Sequence, residues 1–392
     1  MVNKKISIYE AKTIFIHKQL LNQYNKSDKI KEYILSTIEH LGYIQIDTLN
    51  IIERAHHHTL WSRLEKYESN YLNQLLEEKK IFEYWTHALS YLPMKDFRFS
   101  LILKKEYLEG KRHWFNSDLK IQKFILERIK NEGALQAKDF ENSTKTKKGW
   151  FEWKDSKKAL EQLFMQGKLM VKTRKNFQKV YDLTERVLPD NIDTKEPTIQ
   201  EYAKYLIETG INSHGIISEK EIAYLRNSKI KNVINKVLRE MEADNEIEKI
   251  IVENIENECF FTNKENLNLL ETKKINDYIH LISPFDNFLI QRKKIKNLFN
   301  FDYIIECYTP EAKRKFGYFS IPILYNNELV GRFDPKADRK NKILYIKSIH
   351  FENNFIPTEN FIKLFLEKLN DFAIFNNCVE ISIKKIDLNP IK

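Results

Sequence analysis

Three times along this chain, helix-period segments run into two short alternating segments joined by a polar turn. That recurrence restricts the fold more than any other feature. In the first stretch Ser7-Ile8-Tyr9-Glu10 has the spacing of a capping box, and Ile30, Ile34, Ile38 and Leu41 mark a helical face that stops at Gly42. In the second, Ile121, Phe124, Ile125 and Ile129 share a face ending near Gly133. A further helix opens at Asp155 or Ser156, carries Ala159, Leu160, Leu163 and Phe164, and stops at Gly167. Leu169–Val171 and Val180–Leu183 then read as strands flanking a basic turn. In the third, Ile199, Tyr202, Ala203 and Leu206 form one face and Ile230, Val233, Ile234, Val237, Leu238 and Met241 another. Strands at Ile247–Ile251 and Glu258–Thr262 follow. Helices followed by a β-wing make the winged-helix plan, in which the third helix and the wing meet DNA.

The segments divide at a linker rich in Asp, Asn and Pro, from Pro189 to Pro197. After about Leu270 the pattern changes to short strands: Tyr303–Cys307, Tyr318–Leu324, Leu329–Phe333, Ile343–Phe351 and Val379–Ile383, with one late helix through Phe361–Phe372. Such a run, with a turn signal at Asn326-Asn327, permits a small barrel or a strongly curved sheet.

Charge bears on the partner. The formal net charge is +10, and it is segregated. Lys145 to Lys179 holds eleven Lys or Arg against three acids, and Gln291 to His350 holds thirteen against six. Basic stretches of this kind suit a phosphate-lined partner, although lysine-rich surfaces also arise from genome composition. With 42% hydrophobic and 31% charged residues the chain is globular, and no apolar run reaches membrane-spanning length. The start, MVNKKISIYEAK, lacks the apolar centre of a secretory signal. Cys259, Cys307 and Cys378 lie far apart with no CxxC pair, which fits a reduced cytoplasm and argues against a thiolate zinc site. The abundance of Lys, Ile and Asn suggests an AT-rich bacterial genome, and the expectation is a cytoplasmic, monomeric protein without metal or cofactor.

One short motif carries candidate chemistry. Tyr43, Gln45 and Asp47 alternate with Ile44 and Ile46, so two isoleucines can anchor while an amide and a carboxylate share the opposite side. Such a pair can hold a water beside a substrate. The plainer alternative is an Asp capping the next helix beside a surface Gln. His56-His57-His58 tempts a metal assignment, but consecutive helical histidines cannot converge on one ion. Contact with a phosphate or a core carbonyl suits them better. Arg54 and Arg63 could bind phosphate or pair with Glu53 or Glu65. Trp150, Phe151 and Trp153 sit among lysines and suit either DNA contact or a staple ahead of the helix at Asp155.

The run Leu41–Leu64 resembles the YcaQ/AlkZ family of bacterial DNA glycosylases, which act on alkylated bases and interstrand crosslinks through a Gln-hydrophobic-Gln or Gln-hydrophobic-Asp motif. The matching residues are Gln45-Ile46-Asp47, Glu53-Arg54-Ala55-His56-His57, Leu60-Trp61-Ser62-Arg63 and Phe82-Glu83-Tyr84-Trp85. Downstream they are Ser283-Pro284-Phe285-Asp286, Lys313-Arg314-Lys315-Phe316-Gly317-Tyr318, Val330-Gly331-Arg332 and Lys336-Ala337-Asp338-Arg339-Lys340. Asp at position 47 is similar to the broad YcaQ-like branch.

The resemblance implies a mainly α protein with α+β winged helices. Three tandem winged-helix domains are expected at 1–115, 116–190 and 197–270, with a C-terminal β-barrel-like domain at 271–392. It implies Gln45 and Asp47 as catalytic residues and double-stranded DNA with alkylated or crosslinked bases as the substrate. Arg54, His57, His58, Arg63, Lys313, Arg314, Lys315, Arg332 and Arg339 are the expected DNA contacts, with Lys313–Lys315 at the tip of a β-hairpin. The competing function is a winged-helix regulator that binds DNA without chemistry. A metal-dependent nuclease is disfavoured because no acidic ligand set clusters in the sequence.

Overall fold

The computed structural model describes residues 4–111, 117–143, 149–255, 257–272 and 277–387, of which 141–143, 149–154, 272 and 387 are described by backbone alone. The fold is mixed α/β, and its two compact units are assembled from separated stretches. Met1–Asp28, Ile44–Tyr67 and Leu206–Lys392 make one unit, and Lys29–Tyr43 with Glu68–Tyr205 the other. The path of the chain thus leaves and re-enters the first unit within residues 1–115. Among the described residues no helix is long and apolar enough to cross a membrane.

In the second unit the helix Ile30–Leu41 buries Ile34, Ile38 and Leu41, and Gly42 ends it at φ +80° with its N–H on the Ile38 carbonyl at 2.9 Å. The helix Asn70–Glu77 and the hairpin Ile81–Trp85/Leu89–Pro93 follow. The next stretch runs helix Leu119–Glu132, short strand Leu135–Gln136, 3₁₀ turn Ala137–Ser143, helix Gly149–Met165 and hairpin Leu169–Lys175/Gln178–Leu183. The short strand pairs with the second hairpin strand. Asn176 and Phe177 both take positive φ, +50° and +66°, the backbone of a two-residue turn matched to strand twist. The helix Gly149–Met165 begins before Asp155, so Trp150, Phe151 and Trp153 lie within it and precede no cap; their side chains are outside the described residues.

In the first unit the Ser7–Glu10 capping box is formed. The Ser7 N–H donates to Glu10 Oε2 at 2.7 Å, and the Glu10 N–H donates to Ser7 Oγ at 3.1 Å. Lys4–Ile6 adds a parallel edge to the hairpin Glu248–Val252/Cys259–Thr262, whose other edge is Ile217–Ser218. Ile230, Ile234, Val237, Leu238 and Met241 form the buried face of the helix Ser228–Ala243.

Among the described residues the C-terminal part is a bent, open sheet, with no strand pairing that closes it. Its order runs Ile279–Leu281, Ile321–Tyr325, Glu328–Asp338, Ile343–Phe351, Glu380–Ile383, with Ile386–Asp387 also on Ile343–Phe351. Register breaks at Ile323/Leu324 and Phe333/Pro335 bend it. The last strands join it parallel, and the helix Glu359–Phe375 makes the crossover.

The expected strand Tyr303–Cys307 and the hairpin tipped by Glu311–Gly317 are absent. Residues 301–320 form a loop with one 3₁₀ turn, Glu311–Lys313. Side chains take the amides that a β-ladder would use. Glu306, 8% exposed, accepts the Lys315 and Phe316 amides at 2.8 and 2.7 Å. Asp334, 3% exposed, accepts those of Tyr318 and Phe319 at 3.1 and 2.9 Å. Gly317, between the two pairs, stands at φ +118°, and a Cβ there would sit 2.4 Å from Asp334 Cγ.

Candidate active site

The segment Tyr43–Asp47 alternates in burial as its sequence does. Ile44 and Ile46 are buried while Tyr43, Gln45 and Asp47 are half-buried. Only Ile44–Gln45 pairs as strand, and the chain then loops to the helix Ala55–Trp61, whose N-cap is Arg54. Asp47 is therefore not a cap for that helix. Its Oδ1 accepts the Leu49 amide two residues on, at 2.7 Å, an Asx turn that holds the carboxylate in place. Burial raises the Asp47 pKa, and the Leu49 and Thr48 amides oppose the rise without cancelling it.

Three ties fix the loop that follows. The Ala337 N–H donates to the Ile51 carbonyl at 3.0 Å, and the Glu53 N–H donates to Asn376 Oδ1 at 2.6 Å. Arg339 Nη1 donates to the Asn50 carbonyl at 3.3 Å, and its Nη2 lies 3.9 Å from Glu53.

The Asp47 carboxylate acts electrostatically on the Cys307 thiol and the Tyr308 phenol, so these two residues of the loop 301–320 lie within reach of its charge. Burial is the largest cause of the raised Cys307 pKa, with Asp47 next, so the thiol stays protonated and weakly nucleophilic. Tyr308 is 81% exposed. Neither residue stands out in the sequence, where the stretch around them has the pattern of a strand.

The expected DNA contacts divide sharply. Lys313 and Lys315 are exposed. Arg314 is half-buried, with Nε donating to the Thr309 carbonyl at 2.8 Å and the guanidinium 4.8 Å from the Tyr318 ring centre. Arg54 is half-buried at the N-cap of the helix Ala55–Trp61, and Arg339 is the tie just described.

Arg63, Arg332 and His58 are corrected by their surroundings. Arg63 has no exposed surface and forms two 2.8 Å bonds with Asp286. Arg332, 2% exposed, lies between the Phe301 and Phe316 rings at 3.9 and 4.0 Å and bonds the Asp302 carbonyl and Glu352. His58 is fully buried, with Nε2 donating to the Leu281 carbonyl at 2.8 Å. None of the three presents a donor to a phosphate. His57, half-buried, bonds the Tyr67 hydroxyl at 2.6 Å. Among the described residues no group of His, Cys, Asp and Glu is arranged to hold a metal.

Burial holds these imidazoles neutral. His57 is pushed down to about 3, His58 to about 4, and His280 to about 3. His280 Nδ1 donates to the Ser62 carbonyl at 2.8 Å. Folded-state values below the unfolded 6.5 mean that the unfolded chain binds more protons as pH falls below 6.5. Stability should therefore be retained above pH 6.5 and decline steadily from there towards pH 4. Denaturation midpoints measured at pH 7.5, 5.5 and 4.5 check this; a midpoint flat across that range would contradict it.

Comparison with known proteins gives two findings. A family model described as DNA glycosylase AlkZ-like matches residues 38–371. The solved structure of Streptomyces sahachiroi DNA glycosylase AlkZ is similar in fold, with a TM-score of 0.65 at 14% sequence identity, covering 97% of this chain and 100% of that one.

Proposed function

The chain belongs to the AlkZ-like DNA glycosylase family, and from that premise we propose that it hydrolyses the N-glycosidic bond of N-alkylated purines in duplex DNA, N7-alkylguanine above all, and unhooks interstrand crosslinks. The observation that carries this reading is Asp47: a half-buried carboxylate with a raised pKa, fixed by its own Asx turn two residues after the half-buried Gln45. Hydrolysis develops cationic character on the deoxyribose and needs a nucleophile at C1′. A carboxylate serves both ends, stabilising the cation and drawing a proton from water. Burial strengthens both actions, since a carboxylate poor in solvent is a better base and its field is less screened. Gln45 orients the water through its amide. An N7-alkylated guanine departs as a neutral base, so the site requires no general acid.

The helix-and-hairpin stretches serve as winged helices that bind duplex DNA, and the bent C-terminal sheet carries the loop 301–320. Lys313 and Lys315 contact phosphate there. Replacing both with Ala is expected to flatten the slope of log K against log salt by about two units, near one per lost contact. An unchanged slope would remove both lysines from the interface.

The test of the activity is direct. Duplex DNA containing N7-methylguanine is incubated with the protein and then cleaved with alkali at abasic sites, and a crosslinked duplex is followed on a denaturing gel. Strand breaks at the lesion support the reading. A protein that binds both duplexes and leaves them intact is a binding module and not this enzyme.

A further inference from the structure

Tyr308 is a large aromatic residue 81% exposed on a segment that is otherwise locked. Its turn is closed by the Thr309 N–H on the Glu306 carbonyl at 2.9 Å, and Arg314 Nε holds the Thr309 carbonyl at 2.8 Å. The Glu306 carboxylate ties the same turn to the amides of Lys315 and Phe316, and the Phe316 ring packs on the buried Arg332 guanidinium at 4.0 Å. Its backbone is thus fixed before any ligand arrives, so presenting the ring carries little ordering cost. Its hydroxyl bonds the Cys307 thiol, and both side chains feel the Asp47 charge.

We propose that Tyr308 is a specificity-determining residue, its ring stacking on the alkylated base held over Asp47 and selecting a base that carries positive charge. The inference rests on the reading of Asp47 given above. An aromatic face attracts a cation through its quadrupole, and the adjacent carboxylate attracts the same charge. Neither favours an undamaged purine. Once the glycosidic bond breaks and the base becomes neutral, both attractions lapse and the product is free to leave.

The experiment measures binding on DNA that is not cut. One duplex carries N7-methylguanine on a 2′-fluorinated sugar, which resists hydrolysis. The other carries 7-methyl-7-deazaguanine, which has the same shape without the charge. The wild-type protein should prefer the cationic duplex by ~3–30-fold. Tyr308→Ala should reduce that preference to nearly one, and Tyr308→Phe should keep it because the ring remains. A wild type without preference, or an Ala variant that keeps it, overturns the assignment. Because no bond is broken, this outcome is read separately from whether Asp47→Asn abolishes base release.

Discussion

Asp47→Asn is expected to slow release of N7-methylguanine by ~10²–10⁴-fold while leaving the protein folded and bound to DNA. The substitution removes the proton acceptor and the negative charge but keeps an oxygen that can accept the Leu49 amide, so the Asx turn survives. Removal of a carboxylate whose charge is disfavoured by burial does not weaken the native state, and the thermal midpoint should be equal or higher. The acid side of the rate profile gives an independent check. A general base acts only when ionised, so the rate falls as pH drops through the Asp47 pKa, and burial places that limb above the ordinary 3.8. The Asn variant should lose the limb along with the rate. Wild-type base release by the variant, with the limb in place, would assign the chemistry to another group.

Gln45→Ala separates the two polar groups of the motif. It should leave the acid limb where it is and lower the rate less than loss of the carboxylate, because water still reaches the base but is poorly oriented. Equal losses for the two variants would mean that amide and acid act as one unit.

The helices are legible in the sequence because burial is periodic. Ile34, Ile38 and Leu41, or Ile230, Ile234 and Val237, announce a buried face by spacing alone, and Gly42 announces its end. The alternation at Tyr43–Asp47 is legible for the same reason. The loop 301–320 is not, because its conformation is set by Glu306 and Asp334 capturing main-chain amides, and a carboxylate that does this reads like any other acid. Nor can a charge count distinguish surface from interior. Lys294 is fully enclosed with Glu221 and the Ile216 carbonyl, and Arg332 sits between two rings, so part of the basic stretch Gln291–His350 never meets solvent. Arg63 pairs neither with Glu53 nor with Glu65, as local spacing suggests, but with a residue 223 positions away. That pairing also gives a physical reason for two of the separated motif blocks: Leu60-Trp61-Ser62-Arg63 and Ser283-Pro284-Phe285-Asp286 meet in one buried ion pair.

Breaking that pair should destabilise the protein more than any of the substitutions above. The Arg63 guanidinium is fully enclosed, with Nη1 and Nη2 on the two Asp286 oxygens at 2.8 Å each, Nε on the Gln19 carbonyl at 2.8 Å and Nη1 also on the Thr59 carbonyl at 2.7 Å. Asp286 in turn accepts the Phe288 amide at 2.9 Å and caps the turn Asn287–Leu289. Arg63→Ala leaves an enclosed carboxylate that keeps the Phe288 amide but loses its counter-charge, and removal of one member of a buried pair costs about 3–5 kcal/mol. The damage should extend to catalysis. His58 on the Leu281 carbonyl and His280 on the Ser62 carbonyl stitch the same two stretches, so the three links hold the helix Ala55–Trp61, which follows the Gln45–Asp47 loop, and the two residues after it. Asp286→Ala should cost a similar amount, and the double variant Arg63→Met/Asp286→Leu less than the two single losses combined, since no charge is then left enclosed. Urea titration of the wild type and the three variants decides it. A single substitution costing under about 1 kcal/mol would fall in the range of solvent-exposed ion pairs, and the block spacing would need a different explanation.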